Sequence, residues 1–175
     1  MKRIRIAESM AGLLVMAMLA LPAPAMADET LQAEMSGFQE VPAISTTGSG
    51  EFRAKISNDE TSIEFELSYS DLEGITLPAT APLFAHIHLG QRGVNGGVSI
   101  FLCGGGGKPA CPPPPAMVTG TLDASGVIGP VGQGIAAGEF AELLHAIRSG
   151  VTYANVHTTR WPGGEIRGQI KGSSR

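Results

Sequence analysis

The stretch GEFRAKISNDETSIEFELSYS, residues 50–70, decides the fold. In its first half Phe52, Ala54 and Ile56 alternate with Arg53 and Lys55. In its second half Ile63, Phe65, Leu67 and Tyr69 alternate with Glu64, Glu66 and Ser68. Successive side chains of a strand point to opposite faces, so each half is a strand with one apolar and one polar side. The NDET between them (58–61) is turn chemistry. Two alternating runs around a short polar break read as an antiparallel hairpin.

The same rule works outward in both directions. TLQAEMSG (30–37) sets Leu31, Ala33 and Met35 against Gln32, Glu34 and Ser36, and reads as another half-buried strand. The polar, turn-rich GFQEVPAISTTGSG (37–50) joins it to the hairpin. PLFAHIHLG (82–90) and GVSIFLC (97–103) are the next strands, separated by QRGVNG. PPPP (112–115) is too rigid and too poor in donors for a central strand, and AMVTGTL (116–122) after it reads as an edge strand. VTYANVHT and GEIRGQIK close the chain around the turn RWPGG. One segment departs from alternation. In GEFAELLHAIRSG (138–150), Phe140, Leu143, Leu144 and Ile147 recur at helical spacing, and Gly150 suits the C-terminal cap. Short strands, many turns and one short helix define a mostly-β protein. The expected architecture is an antiparallel β-sandwich or barrel, immunoglobulin-like or superoxide-dismutase-like.

The first residues speak to compartment. Lys2, Arg3 and Arg5 make a basic start, AGLLVMAMLALP (11–22) is a short apolar run, and AMA (25–27) offers small residues at a cleavage point. That is the three-part pattern of a secretory signal peptide, 1–27, too short in its apolar run for a membrane span. Cleavage after Ala27 would leave 28–175 as a single domain long enough for a real core. No cysteine stands directly after the run, which argues against a lipid anchor. The formal charge of the whole chain is −4. An acidic surface does not favour nucleic acid or anionic membranes. No later apolar stretch is long enough to make an integral membrane segment. The expected location is periplasmic or secreted, with a protein or a small ligand as partner. The two cysteines, Cys103 and Cys111, flank a flexible loop. In an exported chain they read as a structural disulfide; the alternative, thiolates on a metal, lacks Cys-x-x-Cys spacing.

Histidine placement raises the question of chemistry. His86 and His88 share one strand face, with Ile87 on the other. A His-x-His pair can present two imidazoles to one metal ion, and copper and zinc sites use that arrangement with a third ligand from another strand. His157 is the obvious third, sharing a face with Tyr153 and Asn155, and Glu165 lies across the RWPGG turn as a fourth candidate. The candidate metal site is therefore His86, His88, His157 and Glu165, for copper or zinc. The competing reading has the same rings donating to carbonyls, Glu165 or Asn155 and ordering a polar patch. His145 lies off the apolar face of the helix and reads as solvated. No Gly-x-Ser-x-Gly elbow is present, and Gly104–Gly107 precede no Gly-Lys-Ser/Thr, so neither a hydrolase elbow nor a phosphate loop is indicated.

GFQEVPAISTTGSGEF, AHIHLGQRGVNGGVSIFLC, EFAELLHAIRSG and TYANVHTTRWPGGEIRGQI follow one another in an order that resembles the CHRD domain, the module first described in chordin. The resemblance spans roughly residues 30–171. Its pattern falls on Glu40-Val41-Pro42, His86-Ile87-His88, Asn95-Gly96, Asn155-Val156-His157-Thr158 and Gly164-Glu165-Ile166-Arg167-Gly168. Between them, 104–115 looks like an insertion. The resemblance implies a β-sandwich-like fold, an extracellular habit and no established reaction, hence a non-catalytic binding or structural module. Arg167, two residues from Glu165, reads as its ion-pair partner. HIH also resembles the copper strand of copper–zinc superoxide dismutases, but that family needs further histidines and an aspartate for its zinc. Three histidines do not supply both metals of a dismutase; a periplasmic copper- or zinc-binding protein is the alternative function, with a redox metalloenzyme as a third and less favoured reading.

Overall fold

The hairpin forms where alternation puts it. In the computed structural model, which describes residues 29–73 and 84–172, β2 (Ser49–Ile56) and β3 (Ser62–Ser70) pair antiparallel with Phe52 opposite Leu67 and Ala54 opposite Phe65. The segment read as a signal peptide lies outside the described residues. β1 (Glu29–Ser36) adds to the other side of β2, with Leu31 opposite Ala54 and Ala33 opposite Phe52. The three strands stack their apolar sides in one layer, where Phe52, Ile63 and Leu67 are fully buried. The polar sides face outward.

The remaining strands are β4 (Phe84–Leu89), β5 (Gly97–Cys103), β6 (Ala116–Asp123), β7 (Thr152–His157), β8 (Ile166–Gln169) and the short β9 (Lys171–Gly172). Every pairing is antiparallel, in the order β5-β4-β7-β8-β1-β2-β3-β6, with β9 pairing β1. The sheet curls until its end strands approach. Val127, just beyond β6, bridges Ile100 of β5, and the Ile128 amide donates to the Ser99 carbonyl at 2.9 Å. The result is a nearly closed barrel, with β6 at one end of the strand order as the edge reading has it.

The helix α1 (Phe140–Arg148) buries Phe140, Leu143, Leu144, Ala146 and Ile147 and leaves His145 exposed. It stops at Gly150, whose φ of 69° is the left-handed conformation that a glycine cap allows. Arg148 at its C-terminal end ties it to Glu29 and Glu60, each at 2.8 Å. Cys103 and Cys111 form a disulfide at the end of β5. Tyr69 anchors the same loop by donating its hydroxyl to the Pro112 carbonyl.

Candidate functional site

β4 and β7 are neighbours in the barrel. His86 stands opposite Asn155, His88 opposite Tyr153, and Phe84 opposite His157. The intervening Ala85, Ile87, Ala154 and Val156 join the apolar core. The histidines therefore emerge on the other face of the sheet, where a polar side normally meets water. Here it does not: His86, His88 and His157 are only 4%, 8% and 7% exposed. Loops roof them. His88 Nδ1 lies 2.8 Å from the Gly96 carbonyl, and His157 Nδ1 lies 2.9 Å from the Pro162 carbonyl. Phe101 meets the His86 ring edge-on at 5.1 Å between centroids, and Tyr153 stacks on His88 at 4.6 Å and 7°.

These contacts fix the protons. A carbonyl only accepts, so Nδ1 of His88 and of His157 carries the hydrogen and each Nε2 keeps a bare lone pair. Those two Nε2 atoms, and Nδ1 of His86, are buried with no hydrogen-bond partner. One ligand atom from each of the three rings lies within 4.8 Å of the other two. Two nitrogens bound to one ion at ~2.0–2.1 Å stand at most about 4 Å apart. The rings need to draw in by less than about 1 Å to share an ion. Burial, and then the charges of His88 and His157, hold His86 far below the usual imidazole range. Burial also lowers His88 to about 4, against the opposing Gly96 bond, and lowers His157. At neutral pH all three rings are uncharged, the form in which imidazole ligates a metal.

Glu165 stands outside this group. Its Oε1 accepts from the Thr46 hydroxyl at 2.7 Å and from the Glu73 amide at 2.6 Å, while Oε2 accepts from the Thr158 hydroxyl at 2.7 Å. It is fully buried as a tie between the β7–β8 turn and the 46–73 region. Arg167 does not pair with it. The guanidinium instead lies over the Tyr153 ring, 3.4 Å from its centre, and donates to Asn95 and to the Gln91 and Val94 carbonyls. An Arg167–Tyr153–His88 stack results, built from side chains on one sheet face.

Two contributors escaped sequence reading. Glu40 reaches from the loop after β1 and accepts from Asn155 at 2.6 Å; burial pushes its carboxyl up to about 7. Gly96 supplies the carbonyl for His88 at a place where a Cβ would collide with the Leu89 carbonyl. Glu40 and Gly96 both fall in the motif pattern, which was the available signal, but nothing in a motif says that one packs on an asparagine and the other on an imidazole.

A nearly closed antiparallel barrel, carrying three converging imidazoles beneath loops on its outer face, defines a mostly-β module with a candidate metal centre. The chain belongs to the CHRD domain family, which matches residues 31–170. Neither a curated protein nor a solved structure matches the chain. The Cys103–Cys111 disulfide fits an oxidising compartment. No helix among the described residues is long and apolar enough to cross a membrane.

Proposed function

We propose that this protein is an exported, non-catalytic CHRD-domain module that holds one copper or zinc ion between His86, His88 and His157. The observation that carries the reading is that the three rings stand at ligand spacing and that each has a buried nitrogen without a hydrogen-bond partner. A buried acceptor left unsatisfied costs about 1–3 kcal/mol. Two such acceptors, on His88 and His157, beside an unpartnered His86 nitrogen are hard to account for as a patch that only orders the fold. The carbonyls of Gly96 and Pro162 complete the arrangement, since a ligating histidine characteristically donates its other nitrogen to a carbonyl or carboxylate. Copper is favoured over zinc, because nitrogen sites bind copper most tightly and the group contains neither thiolate nor carboxylate. Within this reading residues 1–27 are a signal peptide, 28–175 is the mature domain, and the periplasm or the medium is its destination. Nucleic acid is not a partner of so acidic a chain.

Native mass spectrometry of the mature protein tests it. The wild type is expected to take up one copper ion, and His88→Ala and His157→Ala each to weaken uptake at least tenfold, ~1.4 kcal/mol or more. Glu165→Gln is expected to retain the ion, since that carboxylate serves Thr46, Thr158 and Glu73. A wild type that takes up neither copper nor zinc at stoichiometry would leave the histidines a structural role only.

A further inference from the structure

Arg167 is 1% exposed, yet all its hydrogen-bond acceptors are neutral: Asn95 Oδ1 at 3.2 Å, the Gln91 carbonyl at 3.1 Å and the Val94 carbonyl at 2.9 Å. Among the described residues it has no ion-pair partner. Buried cations are normally paired with an anion. Arg167 lines a cleft of about 270 Å³. Arg92, on the exposed loop after β4, lines it too, close enough to Arg167 for their charges to oppose each other. Two like charges meet at one small cleft, one of them buried, and the charge of Glu40 in the same lining offsets Arg167 only in part. Among the described residues the carboxyl in the lining is Glu40, which accepts from Asn155 and which burial raises to about 7, so that about half of it is protonated at neutral pH.

Gln169 lines the same cleft. Gln169, 8% exposed, donates its amide hydrogens to the Gly90 and Gly150 carbonyls at 3.0 and 2.9 Å. Those two bonds fix the orientation of the amide, and its Oε1 is left buried without a donor. The cleft thus offers guanidinium donors for an anion and an acceptor for an O–H. Its volume lies below the ~300 Å³ at which pockets begin to hold drug-sized ligands, so the occupant is small.

We propose that the cleft between residues 38–41 and 92–93 binds a small oxyanion bearing its own O–H donor, with its anionic oxygens on Arg92 and Arg167 and its hydroxyl on Gln169 Oε1. Hydrogen phosphate and α-hydroxy carboxylates share this chemistry. The site is independent of the metal reading, and its test uses metal-free protein. In an NMR titration of amide shifts at constant ionic strength, glycolate or hydrogen phosphate is expected to saturate in the millimolar range, about −4 kcal/mol. The shifts should centre on residues 38–41, 91–95 and 167–169. Saturation by glycolate alone assigns the α-hydroxy acid, by phosphate alone the inorganic ion. Acetate, which lacks the hydroxyl, should bind at least about tenfold more weakly. Arg92→Ala, a change at an exposed position, should weaken binding at least about tenfold, and Arg92→Lys should restore part of it. No saturation by either anion, equal effects of acetate or chloride, or an unaltered Arg92→Ala titration would overturn the proposal.

Discussion

Glu40 is a carboxyl whose environment sets its response to pH. Its ordinary value of 4.5 is raised to about 7, first by burial and against the Asn155 bond and the Arg167 charge. Between those two values the native state holds a proton that the unfolded chain has lost, so stability falls as pH rises through the window. Glu40→Gln keeps the size and an acceptor for Asn155 while abolishing the titration. It is expected to be more stable than the wild type by about 1–3 kcal/mol at pH 8 and equal to it near pH 4. The imidazoles act oppositely. Their lowered values mean that the stability they permit is present above 6.5 and is lost as pH falls, toward about 4 for His88. Urea unfolding of the metal-free variant from pH 8 to 5 should therefore show only the acid-side loss; a remaining decline above pH 6.5 would mean that another group carries it. At this scale the sequence made the shared face of His86 and His88 legible, because pleating follows from the chain itself. It could not say which ring nitrogen stays bare, since that depends on the Gly96 and Pro162 carbonyls, supplied by loops. Glu165 is the counterpart: it lies close to His157 in sequence, and its carboxylate is taken up by Thr158 just after β7 and by Thr46 from the segment before β2.

The helix shows what periodicity can and cannot deliver. A 3.6-residue repeat identified 138–150, and the element runs Phe140–Arg148 with the expected side chains inward. Leu143→Ala empties a fully buried position and is expected to cost about 2–5 kcal/mol in denaturant unfolding. His145→Ala on the exposed face should stay within about 0.5 kcal/mol. Equal effects at the two positions would mean that α1 is not docked on the barrel. The residues before it were not legible as elements. They contain two three-residue 3-10 turns, too short for any period to register. Adjacency of β4 and β7 was equally hidden. Both strands were visible, but pairing between segments so far apart in the chain is a property of the closed sheet rather than of either strand.

For the whole molecule, alternation announces a sheet with one buried face but does not say whether that sheet folds over as a sandwich or closes as a barrel. Closure rests on Val127 bridging Ile100, a contact between a turn and a strand that no local pattern encodes. The disulfide fixes the C-terminal end of the same strand, β5, with a sequence separation of 8. Opening so short a loop removes about 2–3 kcal/mol of constraint on the unfolded chain. A Cys103→Ser/Cys111→Ser variant is expected to lose that much in a denaturant midpoint while keeping its native circular dichroism. A variant as stable as the wild type would mean that strain in the folded state offsets the constraint.

The placement of β7 late in the chain also imposes a timetable. A polypeptide that has emerged only as far as α1 possesses His86 and His88 but not His157, and its second strand partner for β4 does not yet exist. On the proposed reading, an ion shared by all three rings can be bound only after β7 has been synthesised, so loading of the complete site follows synthesis of the C-terminal strands.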